Sequence, residues 1–273
     1  MIDAIRAFEG GSCRQLLAMV DRRTWRLERF PAVFFALHHT REGWVLVDTG
    51  YGGRFHAATR RFPARLYRWS TPVQEAGSAA AALTAAGIPA GEVRHLIVTH
   101  FHADHVGGLA EFPQATIHHH EEALRPLRAL PAWRQVRAAF LADPVPDWLP
   151  ERARLVPARA FEGRASASAT FDLFGDGSVG LVHLPGHAPG QLGISFALGG
   201  RRLLYAADAY WRACQITDGV EPLPVAMALQ WDRRAYRQTV GRLRALHARG
   251  EYELHACHDV GVAARLNQLS PMR

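Results

Sequence analysis

Apolar residues in this chain fall in many short runs. Residues 33–37 and 44–47 read as two strands around a turn at Glu42-Gly43. Runs of similar length recur at 93–99, 114–118, 179–184, 203–207 and 252–256, and 171–177 reads as a strand followed by a tight turn at Gly175-Asp176-Gly177. Between these runs the period changes. Residues 79–86 are alanine-rich and closed by Gly87, which predicts a helix with a glycine at its C-terminal end. Tyr236, Val240, Leu243 and Leu246 recur at helical spacing. Residues 121–160 read as mainly helical, broken by Pro144, Pro146 and Pro150, with His118-His119-His120 leading from a strand into the first helix. Strands alternating with helices, without internal repeats or linker-like stretches, predict a single α/β domain over residues 1–273.

Where the apolar runs end carries more information than the runs themselves. The run 93–99 is followed by His100-Phe101-His102-Ala103-Asp104-His105, four potential metal ligands in six residues. A strand sends the first and last of these to opposite faces, and a helix scatters all four around its axis. A loop can aim them together, and the natural division is two ligands to each of two ions: His100 with His102, and Asp104 with His105. Gly107-Gly108 leaves the following backbone free to bend. Three other apolar runs end in the same way, at His187, Asp208 and His258. Five imidazoles and two carboxylates suit borderline divalent ions such as Zn²⁺, with Mn²⁺, Fe²⁺ and Co²⁺ also tolerated. Asp208 could bridge two ions about 3.5 Å apart.

The ordered set of His-Phe-His-Ala-Asp-His, Leu-Pro-Gly-His, Ala-Ala-Asp and Cys-His-Asp resembles the metallo-β-lactamase superfamily in its dinuclear hydrolase branch, over residues 33 to about 260. That resemblance implies a four-layered αβ/βα sandwich. It also implies a first metal held by His100, His102 and His187, a second held by Asp104, His105 and His258, and Asp208 shared between them. Asp48, in Val47-Asp48-Thr49-Gly50, matches an acidic position that would orient a ligand histidine through its free N–H. His105 points away from the β-lactam-cleaving enzymes, and the stretch 172–179 with Asp48-Thr49-Gly50-Tyr51 is similar to N-acyl homoserine lactonases. The expected chemistry is attack of a metal-activated water on a lactone or carboxylic ester, with Asp104 handling the proton. Glyoxalase II-like thioesterases and phosphodiesterases or nucleases are the alternatives, followed by a non-catalytic metal-binding protein. Two positions depart from the lactonase pattern. Gln191 follows Gly190 where a second Pro-Gly-His often stands, and Trp211 occupies the position where lactonases often carry a tyrosine. Tyr210, next to it, is the candidate for assisting the substrate oxygen.

Composition changes the picture in a few places. The net charge is +7 and every one of the 32 basic residues is arginine, which GC-rich coding explains for the total. The local concentration is more informative: residues 54–68 hold five arginines and no acid, interleaved with Phe55, Phe62 and Tyr67 and followed by Trp69. An interface or pocket wall, such as a homodimer contact, is the expected role. An anionic-substrate clamp, a nucleic-acid contact and a membrane-surface patch are the other readings. Nucleic acid ranks low because no inserted specificity domain is visible. Residues 121–160, with Trp133, Phe140 and Trp148, are expected to lie on the substrate side. His118-His119-His120 are expected to point in different directions, His183 and His255 to sit within strands, and Cys257 to be a small buried thiol. Three cysteines without a Cys-x-x-Cys pair fit a reducing cytoplasm. No apolar stretch is long enough to span a bilayer, and the N-terminus lacks the pattern of a cleaved signal peptide.

Overall fold

The computed structural model describes residues 1–162 and 170–270. Its strands are β1 (Ile2–Leu16), β2 (Leu27–His39), β3 (Gly43–Val47), β4 (Val73–Gln74), β5 (Val93–Ile97), β6 (Thr116–His120), β7 (Ala153–Val156), β8 (Phe171–Asp172), β9 (Val179–His183), β10 (Leu192–Leu198), β11 (Arg201–Tyr205) and β12 (Glu253–His255). They form two sheets, in the orders β4-β1-β2-β3-β5-β6-β7 and β12-β11-β10-β9-β8.

Alternation along the strands builds the layers. Phe35, Val47 and Ile97 face Leu181, Ile194 and Leu203 in an apolar core between the sheets. Their strand neighbours point outward, because successive side chains on a strand alternate faces. Leu46 and Leu96 pack under Leu83, Leu109 and Leu127 on one outer side, and Val182 and Leu204 pack under Tyr236, Val240 and Leu243 on the other. The result is the expected αβ/βα sandwich. Each fully buried Leu, Ile or Val contributes about 1.5–3 kcal/mol relative to exposure. Helix ends are capped where the sequence allows. Ser78 Oγ accepts the Ala81 N–H at 3.0 Å at the start of Ala79–Ala85, and Asp232 accepts from Arg234 and Ala235 at 2.8 and 3.0 Å at the start of Arg233–Ala248.

Two expectations need correction, and one long strand was not marked at all. The long strand β1 is not visible as an apolar run, because Gly10-Gly11 falls at a register shift between Glu9 and Ser12 and interrupts the alternation. His118-His119-His120 does not lead into a helix. All three residues belong to β6, which pairs in parallel with β7 as far as His120↔Val156. Residues 121–160 are consequently less helical than their composition suggests. The helices there are short (Arg125–Arg128, Ala132–Arg137 and Leu149–Arg152), and the prolines give way to strand β7. No helix among the described residues is long and apolar enough to cross a membrane.

β3, β5, β9, β11 and β12 deliver Asp48, the 100–105 loop, His187, Asp208 and His258 from their C-terminal ends. The loops are locked together by close backbone contact. A Cβ on Gly107 would lie 1.9 Å from the Tyr51 carbonyl oxygen, so only glycine lets the 100–107 loop lie against residues 50–52.

Candidate metal centre

The strand ends bring seven buried ligand-type side chains together. Donor atoms of His100, His102 and His187 lie within 4.8 Å of one another, as do those of His105, Asp208, His258 and Cys257. Asp104 Oδ2 lies 3.4 Å from His258 Nε2 and 3.8 Å from His105 Nε2. Asp208 stands between the groups: Oδ2 is 2.9 Å from His258 Nε2 and 3.4 Å from His187 Nε2, and Oδ1 is 3.4 Å from His105 Nε2.

The outer nitrogen of several of these imidazoles is already engaged. His105 Nδ1 meets Asp48 Oδ2 at 2.7 Å, His187 Nδ1 meets Gln230 Oε1 at 2.9 Å, and His258 Nδ1 meets the Pro31 carbonyl at 2.7 Å. Such bonds fix each ring with its Nε2 facing the cluster. His100 Nε2, His105 Nε2 and Asp208 Oδ1 are buried without a hydrogen-bond partner. Buried polar atoms without partners are costly, and their place within the two donor groups fits cations held there. Cys257 is different. Its Sγ accepts the Val33 N–H at 3.2 Å and faces the backbone of β2, which agrees with a buried thiol.

Asp48 is itself held in place. Its carboxylate accepts the Thr99 N–H and hydroxyl, each at 2.8 Å, in addition to the His105 contact. Its φ is +58°, and the other described non-glycine residues with positive φ are Ala139 and Ala207. Ala139 lines the cavity and Ala207 precedes Asp208, so all three strained residues lie at this site.

Burial, reinforced by the neighbouring imidazolium charges, holds His100 and His102 well below the usual histidine range, and burial also lowers His187. These rings are neutral, as metal ligation requires. On His258 burial is outweighed by Asp208, Cys257 and Asp104, which raise it to about 10, and on His105 burial is outweighed chiefly by Asp48. Burial works against the Asp208 carboxylate, but His258 and His105 hold it well below its ordinary value. Positive charge is therefore favoured among these carboxylates, which is the electrostatics a divalent ion would meet.

The cluster floors a cavity of about 350 Å³. His102, Asp104, His187, Asp208 and His258 reach its surface, and Met19, Val20, Phe30, Trp211 and Leu229 supply much of its apolar wall. Trp211 lines the cavity and directs its Nε1–H toward Asp208 Oδ2 at 3.3 Å. Tyr210 does not line it. That ring is buried with Val182, Leu184 and Ile216 on the outer side of the second sheet. Tyr210 and Trp211 leave this turn in different directions, Tyr210 into the cluster under the outer helices and Trp211 to the cavity. The tyrosines in the cavity wall are Tyr51, from the Asp48-Thr49-Gly50-Tyr51 element, and Tyr67, from the arginine-rich segment 54–68. Gln230 likewise carries no sequence signal. His118, His119 and His120 do not converge: His118 Nε2 meets His95 Nδ1 at 3.0 Å, His119 Nδ1 meets the His120 carbonyl, and His120 stacks on His183 at 4.7 Å.

The sequence profile of the metallo-β-lactamase superfamily matches residues 29–249. The chain belongs to the metallo-β-lactamase superfamily. Among relatives of this superfamily member, a probable metallo-hydrolase of Mycobacterium tuberculosis is 30% identical over 232 residues, covering 80% of this chain and 71% of the relative. An N-acyl homoserine lactonase of Azorhizobium caulinodans is 26% identical over 168 residues, covering 59% of this chain and 57% of its own. An N-acyl homoserine lactone hydrolase, solved with N-hexanoyl-L-homoserine at its catalytic metal centre, superposes with a TM-score of 0.76 at 16% identity, covering 97% of this chain and 96% of that one. A dizinc quorum-quenching lactonase superposes with a TM-score of 0.65 at 13% identity, covering 95% and 89%. The superfamily and the αβ/βα fold make this chain a metallo-hydrolase with lactonase-like structural neighbours.

Proposed function

We propose that this metallo-hydrolase binds two divalent cations, Zn²⁺ foremost, and hydrolyses a lactone or similar carboxylic ester with an apolar tail. The observation that carries the proposal is the pair of converging donor groups at the floor of a largely apolar cavity. His100, His102 and His187 would hold one ion, Asp104, His105 and His258 the other, with Asp208 between them. When bound, such ions lower the pKa of water and polarise a carbonyl oxygen. The chain's own residues do the rest. Asp48, Gln230 and the Pro31 carbonyl keep three imidazoles aimed. Asp104, at the cavity surface, takes a proton from the attacking water and returns it to the leaving oxygen as the acyl C–O bond breaks. Met19, Val20, Phe30 and Leu229 give the apolar part of the substrate a surface and exclude bulk water.

The hydroxyl role expected of Tyr210 passes in this proposal to Tyr67. Tyr67 lines the cavity with Asp104 and Asp208, whereas the neighbouring Tyr51 hydroxyl is within hydrogen-bonding range of the Cys13 thiol. Tyr67 would donate to the oxygen that gains charge. Arg137, also at the cavity, favours a second reading in which the substrate carries an anionic group, as a phosphodiester or some thioesters do. All three cysteines are unpaired, which supports a reducing compartment such as the cytoplasm. Metal-replete protein assayed against lactones, simple esters, thioesters and phosphodiesters tests the substrate class. Lactone or ester turnover is expected; thioester or phosphodiester cleavage with lactones and esters untouched contradicts it.

A further inference from the structure

The arginine-rich segment 54–68 faces two ways. Its second half is the short helix Arg65–Ser70, entered through a turn at residues 61–64. One side holds Tyr67, buried at the cavity wall, and Ser70 and Thr71 line the same cavity. The other side is open. Phe62 in the entry turn and Leu66 and Trp69 on the helix are 61, 45 and 59% exposed. Phe62 and Trp69 pack edge to face with ring centroids 5.5 Å apart. Arg61, Arg65 and Arg68 belong to the same turn and helix, and Arg65 lies over the Trp69 ring at 4.9 Å. Among the described residues, Arg60, Arg61, Arg65 and Arg68 form no ion pair. The nearest acid along the chain, Glu75, is occupied by the His56 N–H at 2.7 Å, and Arg54 is paired with Asp143.

This surface has a neighbour of the same character. The helix Arg65–Ser70 packs against Ala132–Arg137, whose Trp133 is 55% exposed with Arg134 over its ring at 5.0 Å. Arg137, Ala138 and Ala139 line the cavity from that side. Both helices therefore pair an inner face on the cavity with an outer face of exposed indole and free guanidinium.

We propose that this face docks on a bilayer surface rich in anionic phospholipid. Charge complementarity selects the occupant: a cluster of arginines that form no ion pair meets a phosphate-bearing surface, while Phe62, Leu66, Trp69 and Trp133 reach the boundary between headgroups and acyl chains. A protein partner fits less well. The three large side chains on Arg65–Ser70 and its entry turn expose at most a few hundred Å², against roughly 800 Å² per partner in a stable protein interface. Docking by this face would bring the cavity walls built from Tyr67 and Arg137 next to the acyl-chain layer. An ester with an apolar tail could then reach the cavity from the bilayer; that clause alone rests on the function proposed above.

Flotation of the full, metal-loaded chain with phosphatidylglycerol–phosphatidylcholine vesicles and with pure phosphatidylcholine vesicles tests the proposal without any substrate. Binding is expected to the mixed vesicles and to weaken as salt rises. One arginine near an anionic leaflet is worth about fivefold in affinity, so Arg61→Ser/Arg65→Ser/Arg68→Ser is expected to weaken binding by about a hundredfold. Phe62→Ser/Trp69→Ser is expected to lose binding at low salt. Because these side chains are exposed, the variants should keep the parent's far-ultraviolet circular dichroism, which is checked in the same preparations. Equal binding to both vesicle types, or binding unchanged in the arginine variant, overturns the proposal. So does failure of the parent chain to float, whether this face instead mediates a stable dimer that Trp69→Ser dissociates or binds RNA. Lactone activity plays no part in the readout, so failure here and failure of the proposed function are separate results.

Discussion

Asp208 sits at the point where the two donor groups meet, with His105, His187 and His258 each within 3.4 Å of its carboxylate. Replacing it by alanine removes the shared carboxylate and leaves His105 and His258 without their central counter-charge. Asp208→Ala should lower bound metal, read by elemental analysis, and abolish hydrolysis; a variant that keeps both ions and full activity contradicts the assignment. Tyr67 and Tyr210 make a paired test. Tyr67→Phe removes one hydroxyl at the cavity wall and is expected to reduce kcat by about a hundredfold, as loss of one transition-state donor does, with little change in KM. Tyr210→Phe, buried behind the second sheet, should leave kcat within about twofold of the parent. The reverse pattern would restore Tyr210. The sequence marks the ligand-type residues because each lies within a few residues of the end of an apolar run. Tyr67 has no such marker. Its position depends on which way a short helix is turned, and that is decided by Phe55, at 5.3 Å, and by the rest of the cluster around Cys13 and Phe30.

At the scale of elements, the site depends on loops held at backbone contact. Gly107 is the tightest case. A methyl group there would collide with the Tyr51 carbonyl at 1.9 Å, so Gly107→Ala must separate the 100–107 loop from the Asp48-Thr49-Gly50-Tyr51 loop. A loss of stability on the order of 4 kcal/mol is expected, visible as a lower midpoint in denaturant titration. A parent-like midpoint would show that the two loops are free to move apart. Most strands were readable because their runs are short, apolar and bounded by turns. β1, β4, β7 and β10 were not. β1 carries Gly10-Gly11 and alternates with charged residues, β4 is two residues long, and β7 is four residues long with Leu155 exposed; β10 is buried and apolar and was nonetheless not marked. Residues 121–160 looked helical from composition, yet pairing with β6 claimed their last part.

Across the whole molecule, buried neutral histidines couple stability to pH. Burial, with His95 beside it, pushes His118 down to about 3, and burial with His120 stacked on it pushes His183 to about 4. In the unfolded chain both titrate near the ordinary value of 6.5. The unfolded state thus binds more protons below that pH. The contribution of these rings is present above about pH 6.5 and is lost as pH falls toward their folded values. Metal-free protein should show a falling denaturation midpoint from pH 7 to pH 5, with a shallower fall in His118→Gln/His183→Gln. An equal slope in that variant would assign the acid sensitivity elsewhere. The layered architecture and the superfamily were legible from the order of the motifs along the chain. The cavity's wall was legible in part: the segments 54–68 and 121–160, expected at a pocket wall and on the substrate side, supply Tyr67 and Arg137, whereas Met19, Val20, Phe30 and Leu229 carry no mark and meet them only after folding.

On the proposed function, the strand ends form a two-ion site on which hydrolysis depends. The decisive experiment is titration of metal-free protein with Zn²⁺ while bound metal and lactone hydrolysis are followed together. Activity is expected to rise with metal and to reach its maximum at two ions per chain. Full hydrolysis in the presence of a strong chelator, or a maximum reached with a single bound ion, would contradict it.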